Sequence, residues 1–202
     1  MNIYTLYPRG YFASNCYLIE DNGSWAVVDP SVDFTEAIKK HPDLEGNLKY
    51  ILITHAHFDH IYAIDSWVAE CDRVIVGERD LKALSDPILN CYQGFLGVSS
   101  GYYGAAIGVD DGYIIKLGEE DIHVITTPGH TPGGLSFKIC DTIFVGDTLF
   151  SGGGYGRCDL PGGNLDELWE SIFKLFSKNM IGKFYPGHGK PDTFENSIKY
   201  FN

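Results

Sequence analysis

The chain has 202 residues, of which 44% are hydrophobic, a size and composition typical of one globular domain with a substantial buried core. Its formal net charge of −12 argues against a main function in binding the phosphate backbone of a nucleic acid. The sequence predicts neither a signal peptide nor a membrane-spanning helix, because it has no basic start followed by an apolar run and no apolar run of about 18 residues.

The first predicted elements are a hairpin and a short helix. The stretch "SNCYLIEDNGSWAVVDP" has strand-like runs on either side of a turn at Asp21-Asn22-Gly23, which is typical of a β-hairpin. The following "DFTEAIKKH" is predicted to be a helix with Asp33 as its N-cap.

Residues 54–60, "THAHFDH", hold three histidines and an aspartate in seven positions. The apolar run "NLKYILIT" before them predicts a buried strand, and "IYAIDSWVAE" after them has the apolar spacing of a helix. The motif therefore lies in a strand-to-helix loop, where catalytic groups are common.

Residues 86–112 are rich in Gly and Tyr and contain no Lys or Arg. A stretch of this length without predicted secondary structure is usually functional or disordered, and its aromatic residues favour an ordered loop beside the site. We expect Tyr92, Tyr102 and Tyr103 in this loop to contact the substrate.

Three later strands are each followed by a side chain that can bind a metal. His130 follows the strand predicted at residues 122–126, and His188 follows the strand predicted at residues 183–185. Asp147 follows the second strand of a predicted hairpin that turns near Asp141. Between them, "NLDELWESIFKLFSK" predicts a helix capped by Asn164, with an apolar stripe that belongs to the core.

Five of the seven histidines lie in these strand-end loops; His41 and His123 do not, and we interpret both as structural. Imidazole and carboxylate groups suit zinc, iron or manganese. Six or seven such ligands exceed the three that one catalytic zinc normally takes from the protein. The excess indicates two metal ions with one bridging carboxylate, a type of site that produces a hydroxide nucleophile at neutral pH.

The motifs "THAHFDH", "TPGHTPGG", "FVGDTLF", "GRCDLPGGN" and "YPGHG" together resemble the metallo-β-lactamase superfamily and, within it, the glyoxalase II-like hydrolases. The resemblance runs from about Asn15 to about Pro191. It implies an α/β (α+β) fold, the αββα sandwich of two mixed β-sheets flanked by helices, with the metals at one edge of the sheets. We expect residues 1–202 to form a single domain of this fold without the C-terminal glutathione-binding helical domain of glyoxalase II.

The same resemblance implies how the ligands divide between two divalent metal ions, for which zinc is the first expectation and iron or manganese the alternatives. The first ion would take His55, His57 and His130, the second would take Asp59, His60 and His188, and Asp147 would bridge them. Asp59 is also the expected catalytic carboxylate.

The resemblance implies hydrolysis of a small-molecule thioester, such as a hydroxyacylglutathione, by a hydroxide bound between the metals. Arg157 is the clearest cation near the motifs and a further candidate substrate contact. We expect no nucleic acid or membrane partner. A cytoplasmic location is expected because the five cysteines are odd in number and form no C-x-x-C pair.

Two other functions remain open at this point. A persulfide dioxygenase would share the motifs but bind a single iron through His55, His130 and Asp147. A non-catalytic metal-binding domain is the second alternative, against which the intact ligand set argues. A flavodiiron protein, with a carboxylate in place of His57, and a true metallo-β-lactamase, typically with a cysteine in place of Asp147, fit less well.

Overall fold

The computed structural model of the chain describes residues 1–7, 14–71, 73–178 and 182–201. Within these ranges it contains twelve strands in two six-stranded sheets. The strands of the first sheet are β1 (Asn2–Leu6), β2 (Cys16–Asp21), β3 (Ser24–Val28), β4 (Leu48–Leu52), β5 (Val74–Gly77) and β6 (Ile107–Val109). Those of the second are β7 (Ile114–Leu117), β8 (Glu120–Thr126), β9 (Leu135–Ile139), β10 (Thr142–Gly146), β11 (Lys183–Pro186) and β12 (Asp192–Thr193). The α-helices are α1 (Phe34–Ile38), α2 (Ile64–Val68), α3 (Tyr92–Leu96), α4 (Leu165–Lys178) and α5 (Phe194–Ser197).

Both sheets are mixed, as expected. In the first, with spatial order β1-β2-β3-β4-β5-β6, the pairs from β3 to β6 are parallel and the others antiparallel. In the second, with order β12-β11-β10-β9-β8-β7, only the β10–β11 pair is parallel.

Alternation along the strands produces four layers. On β2, Tyr17 and Ile19 pack between the two sheets, whereas Leu18 packs on the outer side with Phe34 of α1 and Trp67 of α2. The second sheet does the same: its inward side chains join the inter-sheet core, and its outward ones, including those of β10, pack with α4 and α5. Since both faces of each sheet bury apolar side chains, the result is the predicted αββα sandwich.

The predicted hairpin is confirmed as β2 and β3. Their register pairs Asp21 with Ser24, which leaves Asn22 and Gly23 as a two-residue turn. Both turn residues have positive φ, 47° and 77°, as a type I′ turn requires.

The predicted helices are present, and two of them, α1 and α2, are shorter than predicted. Asp33 caps α1 by accepting from the Thr35 N–H, and Asn164 Oδ1 accepts from the first N–H groups of α4. The helix after "THAHFDH" covers only Ile64–Val68, and the N–H of its N-cap residue, Ala63, donates to the carbonyl of Pro30. Residues 86–112 are not a plain loop, since they contain α3 and β6.

The topology places the predicted site residues at one edge of the sandwich. Strands β3, β4 and β5 run in one direction, so the segments after them leave from one edge of the first sheet. Strands β8, β10 and β11 also share a direction, so the segments that carry His130, Asp147 and His188 leave from one edge of the second. The main chain joins these edges where Asn15 N–H donates to Gly187 O (2.6 Å) and Leu135 N–H to Thr54 O (2.7 Å). In the described ranges no helix is both long and apolar enough to cross a membrane.

Candidate metal centre

The structure brings all seven predicted metal-binding side chains together at this edge. His55, His57, His60 and His130 are buried, and Asp147 is nearly so. Asp59 and His188 are the more exposed members, with 12% and 37% of their side chains accessible. The ligand atoms fall into three overlapping groups, His55–His57–His130, His55–His60–Asp147 and Asp59–His60–His188, within each of which they lie no more than 4.8 Å apart.

The first group consists of three imidazoles. His57 Nδ1 lies 2.9 Å from His130 Nε2, and the ring of His55 is centred 4.8 Å from that of His57 and 4.7 Å from that of His130. The rings are nearly perpendicular, so their nitrogens converge on one point instead of stacking. This donor set suits zinc or iron.

The second group is Asp59, His60 and His188. Asp59 Oδ2 lies 3.1 Å from His188 Nε2 and 3.7 Å from His60 Nε2. A carboxylate with two imidazoles is also a common metal-binding combination.

Asp147 touches both groups. Its Oδ2 atom lies 3.6 Å from His130 Nε2 and 3.5 Å from His188 Nε2, while its Oδ1 lies 3.4 Å from His60 Nε2. One carboxylate is thus within reach of a cation held by either group.

Several polar atoms of the site are buried without a hydrogen-bond partner in the described part of the chain. They are His55 Nε2, His57 Nε2, His60 Nε2 and Asp147 Oδ1. Unpartnered buried polar groups are rare and each costs about 1–3 kcal/mol. Cations bound between the two groups would satisfy His55 Nε2, His60 Nε2 and Asp147 Oδ1, so the residues present fit a metal centre. His57 faces that centre with Nδ1, which lies 2.9 Å from His130 Nε2.

The electrostatics of the site also favour bound cations. Burial, reinforced by the neighbouring imidazoles, lowers the pKa of His55 well below its usual value and that of His57 to about 3, so both are neutral ligands at pH 7. Burial also opposes charge on His60, but Asp29, Asp59 and Asp147 outweigh it and raise the pKa of His60. A cation would replace the proton that these carboxylates attract, because metal binding and protonation compete for the same lone pair.

One carboxylate outside the predicted set, Asp29, orients a histidine in each group. Its Oδ2 accepts from His60 Nδ1–H (2.8 Å) and from the Thr54 hydroxyl (2.7 Å), and its Oδ1 accepts from the Thr54 N–H (2.8 Å). Because the Thr54 hydroxyl donates to Asp29, it accepts from His55 Nδ1–H at 3.2 Å. Both imidazoles are therefore protonated on Nδ1, which leaves Nε2 free for a metal.

The motif analysis missed Asp29, although the same strand-end rule points to it, since it follows β3 directly.

A second missed carboxylate, Asp80, fixes the loops that carry the first group. Asp80 is buried and accepts from Ala56 N–H, Thr131 Oγ1–H and Gly133 N–H at 3.2, 2.8 and 2.6 Å. Burial raises the pKa of this carboxyl. Asp80 follows β5 by three residues, outside any recognisable motif, so only the fold reveals its role.

The cavity at the mouth of the centre has a volume of about 250 Å³. Besides five of the seven candidate ligands, its wall includes Phe58, Cys91, Phe95, Phe150, Arg157 and Leu160. Arg157 therefore lies at the site as predicted, and its carbonyl accepts from His130 Nδ1–H at 2.7 Å.

The three predicted tyrosine contacts do not line this cavity. Tyr92 is buried behind Phe58, with ring centroids 5.6 Å apart, and the hydroxyl of the buried Tyr102 donates to Ala105 O. Tyr103 is 71% exposed. Residues 86–112 border the cavity through Phe95 of α3 and through Cys91, the N-cap residue of that helix, and not through the three tyrosines.

Replacing Asp29 with Asn is expected to weaken metal binding about 10–100-fold at both groups. The Asn amide offers one acceptor oxygen to three donors, so its NH₂ group faces Thr54 or His60. This favours the tautomer of His55 or His60 in which Nε2 carries the proton and cannot bind a metal. Competition for zinc against a chromogenic chelator measures the change. Asp33→Asn removes the same charge at an exposed helix cap and is the matched control; equal affinities in the two variants would contradict the role of Asp29.

Replacing Gly187 with Ala is expected to disrupt the centre, because the added Cβ would lie 2.1 Å from Asp147 Oδ1 and 2.6 Å from His60 Cε1. The variant should bind less metal after dialysis against zinc, as measured by elemental analysis. Gly94→Ala, where the Cβ meets nothing within 4 Å, is the control and should retain full metal content. Full metal content in Gly187→Ala would show that the centre tolerates a displacement of Asp147.

Comparisons with known proteins agree with this geometry. Hydroxyacylglutathione hydrolase GloC of Haemophilus influenzae is 34% identical over 200 residues, which cover 96% of this chain and 93% of GloC. Among solved structures, the BLEG-1 B3 metallo-β-lactamase is 27% identical with a TM-score of 0.88, covering 98% of this chain and 97% of that one. TTHA1623 in a di-iron-bound form is 28% identical with a TM-score of 0.80, covering 99% and 98%.

Residues 9–188 match the family described as the metallo-β-lactamase superfamily. The match includes every candidate ligand, and the two-sheet fold is that of the solved relatives. The chain belongs to the metallo-β-lactamase superfamily.

Proposed function

We propose that the protein is a hydrolase of small-molecule thioesters that uses two divalent metal ions, with zinc as the favoured metal. The observation that carries the proposal is the position of Asp147, which is within 3.6 Å of a histidine from each ligand group. The similarity to hydroxyacylglutathione hydrolase GloC supports a thioester as the substrate class. A cytoplasmic location is part of the proposal, and the five free cysteines are compatible with it.

In this proposal His55, His57 and His130 would hold one ion, Asp59, His60 and His188 would hold the other, and both groups would share Asp147 as a ligand. Bound there, the two ions would supply an ionised water at neutral pH and positive charge for the carbonyl oxygen of the substrate.

The remaining work falls to the protein's own groups. Asp29 keeps the Nδ1 protons of His55 and His60 in place, so that these ligands do not reorganise during turnover. Asp59 lines the cavity, and we assign it the proton that the attacking water loses. A thiolate is a stable leaving group, so expulsion from the tetrahedral intermediate needs little help from an acid.

The structural similarity to BLEG-1 favours a second candidate, hydrolysis of β-lactams. The chemistry is related, since water attacks a carbonyl carbon in both reactions. A chromogenic cephalosporin assayed beside the thioesters separates the two activities.

The persulfide dioxygenase alternative depends on a different use of the ligands. It requires one iron on His55, His130 and Asp147, and the second ligand group would then have no metal. The Asp59–His60–His188 group is nonetheless assembled, with its ligand atoms within 4.8 Å of one another, which favours the two-metal proposal.

His188→Ala should separate these possibilities. His188 belongs only to the second group, so the variant should retain the metal of the first. We expect kcat for thioester hydrolysis to fall by roughly 10²–10³ or more, because losing one stabiliser of the oxyanion already has that effect in other hydrolases. Zinc content, thioester hydrolysis and persulfide-dependent oxygen uptake should be measured on one preparation.

His123→Ala is the matched control, since His123 is an exposed residue of β8, and it should leave all three measurements unchanged. Wild-type thioesterase activity in His188→Ala would contradict the two-metal mechanism. Oxygen uptake that survives in that variant while wild-type thioester hydrolysis is absent would favour the dioxygenase.

A further inference from the structure

Three phenylalanine rings form part of the cavity wall above the metal ligands. Phe58, Phe95 and Phe150 line it together with Leu160. These side chains come from separate segments, so the apolar wall is assembled by the fold and is not the consequence of one hydrophobic stretch.

Two of these rings form a stacked pair. Phe58 lies inside "THAHFDH" and is 5% exposed, and its ring stacks on that of Phe95 with centroids 5.4 Å apart and planes 27° from parallel. Phe58 is held from behind by Tyr92, and its N–H donates to the carbonyl of Asn90. The pair therefore presents a fixed surface, with Phe95, 38% exposed, as the part that a ligand can cover.

Phe150 adds a ring from the second sheet. It follows β10 and meets the ring of His188 edge-on, with centroids 6.0 Å apart and planes at 85°. An apolar group in the cavity would therefore contact aromatic carbon beside the second ligand group as well as beside "THAHFDH".

The charges of the wall do not favour an anionic group. Arg157 is the only Lys or Arg side chain among the described residues that line the cavity. Its Nε–H and Nη2–H groups both donate to the carboxylate of Asp159 at 2.6 Å. This bidentate pair lowers the pKa of Asp159 to about 2, so the charge of Arg157 is compensated at neutral pH. Among the described residues of the wall, a substrate arm with carboxylates, such as that of glutathione, would find no cation that is not already paired.

We propose that the cavity selects substrates with an apolar aryl or alkyl group next to the scissile carbonyl–sulfur bond, and that Phe95 and Phe150 determine this specificity. The inference rests on the proposed function only for the identity of the scissile bond. The preference for an apolar group does not depend on the proposed function. The apolar group can belong to the acyl arm or to the thiol arm, since both adjoin the bond that the metals would face.

Calorimetry on the zinc-loaded protein tests the preference without turnover. Acetate and phenylacetate represent the acyl arm, whereas ethanethiol and 2-phenylethanethiol represent the thiol arm. Within each pair the metal-binding group is the same, so the difference in affinity reports on the wall. We expect the aromatic member of at least one pair to bind roughly tenfold or more tightly than its small counterpart, as apolar pockets commonly achieve.

Variants locate the source of this gain. Phe95→Ala and Phe150→Ala should each remove most of it, measured as the ratio of the aromatic ligand's affinity to that of its small counterpart within each pair. Phe95→Leu, which keeps an apolar side chain, should retain part of it. Phe173→Ala makes the same substitution at a 52% exposed position on α4 and should retain all of it. Zinc content and melting temperature identify any variant that is misfolded. If one of the two alanine variants at Phe95 and Phe150 is misfolded, Phe95→Leu and the other alanine variant decide whether the wall is the source of the gain.

The inference is overturned if neither aromatic ligand binds more tightly, or if the gain persists in both alanine variants. Selective binding without thioester hydrolysis would instead contradict the proposed function and leave the apolar preference standing. Hydrolysis that is equally fast for small and aromatic thioesters, with no calorimetric preference, would contradict the apolar preference and leave the proposed function standing.

Discussion

The structure depends on the burial of a dense set of metal-binding side chains between the edges of two sheets. Four histidines and Asp147 are removed from water within a few ångströms of one another, and atoms of four of these five residues have no hydrogen-bond partner among the described residues. Such an arrangement is costly without a counter-charge, because buried polar groups lose their hydration and like imidazoles oppose each other's protonation. The same arrangement becomes favourable when cations occupy the point where the lone pairs converge.

The remainder of the fold serves to hold these side chains in place. Parallel and similarly directed strands deliver six segments to one edge. Asp29 and Asp80 then connect those segments by accepting three hydrogen bonds each. Both are buried carboxylates whose partners come from other segments of the chain, so they fix the ligand loops more firmly than turn geometry alone. Gly187 permits the last approach, that of the His188 segment to Asp147.

Much of this could be predicted from the sequence. The parts that could not be predicted share one cause. Strand-end histidines and aspartates are recognisable because the motif and the periodicity of the strand before it are both local signals. The contacts of Asp80 join positions more than 20 residues apart, so no local pattern reveals them. The tyrosines were predicted from composition, which carries no information on side-chain direction. Tyr92 lies in α3, whose five residues are too few to give a readable helical period, and Tyr102 and Tyr103 lie outside any helix or strand. Phe58 was visible within the motif, yet its pairing with Phe95 is again a tertiary contact.

The proposed mechanism requires two metal ions, held in two ligand groups that share Asp147. Anomalous diffraction from crystals of the zinc-saturated protein, collected above and below the zinc absorption edge, tests it most directly. The account predicts two anomalous peaks about 3.5–4 Å apart, one beside His55, His57 and His130 and the other beside Asp59, His60 and His188. A single peak in fully loaded, active protein would contradict it.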